Sequence, residues 1–108
     1  LPLTLPARPA DAGSNPAWHL YPVRLQPQAG ISRDDFIVKM AELGIGCSVH
    51  FIPLHRQPVW RDSYGLTREQ FPVADAAFEA EVTLPLYTRM SDDDQTRVIA
   101  AVRQLLGH

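Results

Sequence analysis

Ten prolines in 108 residues, at positions 2, 6, 9, 16, 22, 27, 53, 58, 72 and 85, set the first limit on the fold. Each lacks an amide donor and obstructs the preceding helical turn, so the chain is cut into short pieces, which argues against an all-helical bundle. Pro2, Pro6, Pro9 and Pro16 crowd the opening, and Asp11-Ala12-Gly13-Ser14-Asn15 adds a turn-rich patch. Residues 1–16 read as a linker or loop ahead of a domain over 17–108. The start at Leu1, with no initiating methionine, carries the expectation of a fragment.

Beyond Pro16 the pieces alternate in type. Trp18 to Leu25 is rich in aromatic and branched residues and reads as a first strand, with Pro22 favouring an edge or a bulge. Ser32 precedes an acidic residue three positions on, Asp35, and Phe36, Ile37, Met40, Ala41 and Leu43 follow at helical spacing as far as Gly44. Ile45, Cys47, Val49 and Phe51 then alternate with Gly46, Ser48 and His50, which predicts a second strand ending near Ile52, before Pro53.

Residues 57–65 have no clean period and read as a loop with about one helical turn. Val73, Ala76, Ala77 and Ala80 predict a small-residue helix, and Val82 to Leu86 a short extended piece limited by Pro85. Ser91 with Asp92, Asp93 and Asp94 caps a last helix whose stripe is Val98, Ile99, Val102, Leu105 and Leu106, with Gly107 at its stop. The expected fold is a small α/β (α+β) two-layer sandwich, a two- to three-stranded sheet with helices on one face.

Composition removes several classes of function. A net charge of −2 gives no electrostatic case for nucleic acid, and no apolar run approaches the roughly 20 residues of a membrane span. The lone Cys47 excludes an internal disulfide, and the chain start lacks a signal-peptide pattern, so a cytoplasmic protein is expected. Cys47 and His50 would point to opposite faces of a strand, which argues against a metal site and a Cys-His nucleophile pair.

His50 at the strand end and His55 on the following connection are the candidate site residues. Imidazoles around a proline-terminated strand suit an anionic or polyhydroxylated ligand, and the residues alone leave ligand contact and structural hydrogen bonding both open. The exposed aromatics Trp18, Trp60 and Tyr64 support a rival reading, a non-catalytic α/β binding or packing module that covers a partner surface.

Several short motifs in order carry a resemblance: Trp18-His19-Leu20-Tyr21-Pro22-Val23-Arg24, then Leu43-Gly44-Ile45-Gly46 leading into Val49-His50-Phe51-Ile52-Pro53-Leu54-His55. Phe71-Pro72-Val73-Ala74, Leu84-Pro85-Leu86-Tyr87 and Met90-Ser91 follow. From about Trp18 to its end the chain resembles the C-terminal small domain of the DegT/DnrJ/StrS-type nucleotide-sugar aminotransferases, which depend on pyridoxal phosphate. The resemblance implies a parent enzyme, a homodimer, that aminates a keto group of a nucleotide-linked sugar with glutamate as donor. It also implies that this domain packs on a large cofactor-binding domain of the same protein, with His50 and Phe51 near the substrate sugar; from the strand-end geometry His55 is expected either to reach the same substrate pocket or to brace the loop. The family's cofactor lysine has no counterpart, because the single lysine, Lys39, falls inside the first helix. The chain by itself is therefore expected to bind no pyridoxal phosphate, to hold no catalytic residue and to be inactive.

Overall fold

Local signals lay down the helices before any tertiary contact is needed. In the computed structural model, which describes residues 1–8, 11 and 13–107, α1 spans Arg33–Glu42 and α4 spans Asp92–Leu106. Ser32 Oγ accepts from the Asp35 amide and Ser91 Oγ from the Asp94 amide, both at 3.1 Å, so each helix is capped by the serine expected to cap it. Pro9 and Ala12 of the expected linker lie outside the described residues.

The strands are β1 (Leu3–Thr4), β2 (Tyr21–Leu25) and β3 (Glu81–Leu84), joined antiparallel in the order β1-β2-β3. Val23 lies opposite Val82 and Tyr21 opposite Leu84, so one sheet face carries the apolar residues. Phe36 and Met40 of α1 and Ala101, Val102 and Leu106 of α4 close over that face with Val23, Leu25, Val82 and Leu84. This is the expected two-layer α+β arrangement. Two shorter helices complete it, α2 (Pro58–Tyr64) and α3 (Pro72–Ala80), the latter running directly into β3. Short 3-10 turns occupy Leu54–Arg56 and Arg68–Gln70.

Five expectations need correction. The second strand does not form: the alternation holds for Ile45, buried, and Cys47, half-buried, but Val49 is exposed and Phe51 is 87% exposed. Only Ser48 pairs, exchanging backbone bonds with Thr83 at 3.1 and 2.8 Å. A longer ladder would next pair Gly46 with Pro85 and His50 with Glu81. Pro85 has no amide to give, while the Glu81 amide is spent on Ala77 O and its carbonyl accepts from Arg33.

The third strand comes instead from Leu3–Thr4, inside the stretch read as linker or loop. The first strand begins at Tyr21 rather than Trp18, because Trp18 takes a left-handed φ of 48° that an extended strand cannot contain. β2 is also central, despite Pro22. Its imino nitrogen faces the β1 side, beyond the end of β1 at Thr4, and Pro22 stands opposite a Thr83 whose backbone groups serve Ser48. Finally, residues 57–65 hold a two-turn helix, started by Pro58 at its first position and stopped by Gly65 at φ 60°.

Candidate functional site

Residues 48–56 leave the sheet at one backbone bridge and return to the body of the fold at one carboxylate. The bridge is Ser48 to Thr83, and the carboxylate is Asp75 in the first turn of α3. Between them His50 and Phe51 face solvent, their rings edge to face with centroids 5.8 Å apart.

His55 goes the other way. It is 5% exposed, stacks on Phe71 at 4.9 Å and places Nε2 3.1 Å from Asp75 Oδ1. The expected site histidines therefore occupy different environments: His50 and Phe51 present their rings to solvent, whereas His55 braces the loop. Asp75 also accepts from Arg56 Nε at 2.6 Å and from Arg68 Nε at 3.2 Å. Arg56, His55 and Arg68 together hold its carboxyl well below the usual carboxylate range, against the opposing effect of burial. The same arginines both reach Glu79, one helical turn further along α3. Arg56 also lies over the Phe78 ring, 4.9 Å from its centroid.

Asp75 carries no signal of this role in the sequence, where it reads as a first-turn acid favourable to the helix dipole. A cleft of about 240 Å³ lies beside the Ser48–Thr83 bridge, lined among others by His19, Cys47, Ser48, Thr83 and Pro85. His19 reads in the sequence as one more strand residue. Burial pushes the Cys47 thiol upward, so it stays a neutral thiol rather than a nucleophile. Among the described residues no group of three His, Cys, Asp or Glu side chains is placed to hold a metal ion. No described helix is long and apolar enough to cross a membrane.

The residues present do not fit a covalently held pyridoxal phosphate. Lys39, the single lysine, is exposed in the last turn of α1, where neighbouring Val38 is also exposed. A cofactor lysine needs an enclosed pocket around its amine, and the exposed Lys39 has none.

Comparison with known proteins gives this geometry a context. The spore coat polysaccharide biosynthesis protein SpsC of Bacillus subtilis is 41% identical over 92 residues, covering 83% of this chain and 24% of SpsC. The crystal structure of the aminotransferase TlmJ from Streptoalloteichus hindustanus superposes with a TM-score of 0.77 at 28% identity, covering 97% of this chain and 26% of TlmJ. The putative sugar aminotransferase Spr1654 of Streptococcus pneumoniae, in its PMP-form, matches with a TM-score of 0.71 at 33% identity, covering 81% of this chain and 22% of that one. Spr1654 is also known in a PLP-form. The chain spans about a quarter of the length of the curated relatives it matches. The model of the DegT/DnrJ/EryC1/StrS aminotransferase family matches residues 2–103, and the chain belongs to that family.

Proposed function

We propose that these residues form the C-terminal small domain of a pyridoxal-phosphate-dependent aminotransferase, a cytoplasmic homodimer that aminates a keto group of a nucleotide-linked sugar with glutamate as donor. The observation that carries this reading is the display of His50 and Phe51, two exposed rings on a segment fixed at both ends. An imidazole can bond sugar hydroxyls or a diphosphate, and an adjacent aromatic face can cover a sugar ring. The membership of the chain in an aminotransferase family and its likeness to SpsC, a polysaccharide biosynthesis protein, support a sugar substrate.

Pyridoxal phosphate, bound by the remainder of the enzyme, supplies the electron sink for amino transfer. In this domain His50 binds substrate, Phe51 orients it and His55 braces the loop from beneath. The 108 residues alone do not transaminate. The test is His50→Ala in the complete enzyme, assayed with a nucleotide-linked keto sugar: sugar KM rises or kcat falls, and unchanged kinetics would sink the assignment.

A second reading, a packing module, draws on the Trp60 and Tyr64 rings, stacked 5.6 Å apart and both exposed on α2. Light scattering of the isolated chain across a dilution series tests it. Self-association supports an adhesive α2 face, and a monomer at every concentration counts against it.

A further inference from the structure

Segment 57–67 leaves the fold and returns to it within a few residues of one point. Arg56 stands at its start and Arg68 at its end, and both guanidinium groups reach the carboxylates of Asp75 and Glu79. Those acids are four residues apart on α3 and so share one helix face. Asp75 also receives His55, which Glu79 does not. An ionised carboxylate only accepts, so the Nε2 of His55 carries the proton and donates.

The three side chains are well shielded, with 4% exposure for His55 and 17% for both Arg56 and Asp75. By contrast the neighbouring Arg61–Asp62 pair is 52% and 65% exposed, a setting in which ion pairs contribute little. Between the Asp75 clamp and the Ser48–Thr83 bridge lie only Val49 to Leu54, with φ fixed at Pro53. Gln57 adds a side-chain bond to the Ile52 carbonyl at 3.3 Å. The position of His50 and Phe51 is therefore set by the Ser48 bridge on one side and, on the other, by the side-chain bonds of Gln57 to Ile52 and of Asp75 to His55 and Arg56.

We infer that Asp75 is a positioning residue for the sugar half of the reaction, acting through His55 and Arg56 on the placement of His50 and Phe51. The inference rests on the reading of His50 and Phe51 as substrate contacts. In the complete enzyme, Asp75→Asn keeps the size of the side chain and removes its charge. Sugar KM is expected to rise about tenfold, the loss of a hydrogen-bonded placement, while the amino-donor KM stays unchanged. Asp75→Glu restores the carboxylate and is expected to return sugar KM to within about threefold of the parent.

A purely structural role would move both Michaelis constants together or neither, and either result overturns the proposal. His50→Ala measured alongside separates the two levels. If it raises sugar KM while Asp75→Asn does not, the positioning role fails and the substrate reading stands; if it leaves both sugar KM and kcat unchanged, both fail. Should Asp75→Asn prove insoluble, Arg56→Gln, which removes the shortest contact to Asp75, decides the question on the same two constants.

Discussion

The Arg97 guanidinium donates to the Gly44 carbonyl at 3.0 Å, tying α4 to the turn that ends α1. Gly44 sits at φ 75°, a conformation that L side chains rarely adopt, and a Cβ there would lie 3.2 Å from Arg97 Nη2. Strain and crowding coincide at one residue. Gly44→Ala is expected to destabilise the fold by about 1–2 kcal/mol, read as a lower urea midpoint at constant slope.

The core contrast lies within one helix. Met40 is fully buried beneath the sheet, while Val38, two residues earlier, is 57% exposed. Met40→Ala should cost about 2–5 kcal/mol, a large share of the roughly 5–15 kcal/mol available to a domain of this size. Val38→Ala should stay within about 0.5 kcal/mol. Equal losses in denaturant titrations would contradict the packing described for α1.

What the sequence discloses here follows the range of the interactions. α1 and α4 are legible because Ser32 with Asp35, and Ser91 with Asp94, are local pairs that precede local apolar stripes. The false strand at 45–52 arises because alternation is also local, whereas the groups that halt the ladder, Pro85 and the Arg33-bound carbonyl of Glu81, lie more than thirty residues away. Leu3–Thr4 is too short to show a period at all. His55 is visible as a loop histidine, but its partner Asp75 is twenty residues on and looks like any first-turn acid. Long-range polar pairing is what a periodicity reading cannot contain.

α4 should depend on its first turn more than its polar surface suggests. Ser91 Oγ accepts from the Asp94 amide and Asp94 Oδ2 accepts from the Ser91 amide, each at 3.1 Å, and the helix supplies Val102 and Leu106 to the core. Ser91→Ala is expected to lower stability by about 1 kcal/mol, or roughly 4–8 °C in Tm by calorimetry. Ser91→Asp, which keeps a capping acceptor, should recover most of it.

Acid should find the Asp75 clamp early. The bond from Arg56, followed by those from His55 and Arg68, holds the folded-state pKa of Asp75 well below its ordinary value of 3.8. In the unfolded chain that carboxyl takes up its proton near 3.8, so below this pH the unfolded state binds more protons than the folded one. The contribution of Asp75 is thus complete above the unfolded value and is lost as pH falls through the folded one. Urea midpoints of the domain should decline from about pH 4.5 downward, and Asp75→Asn should flatten that decline while lowering the plateau near neutrality. An unaltered acid slope in Asp75→Asn would mean that the arginines around Asp75 do not bind it more tightly in the fold than solvent does in the unfolded chain.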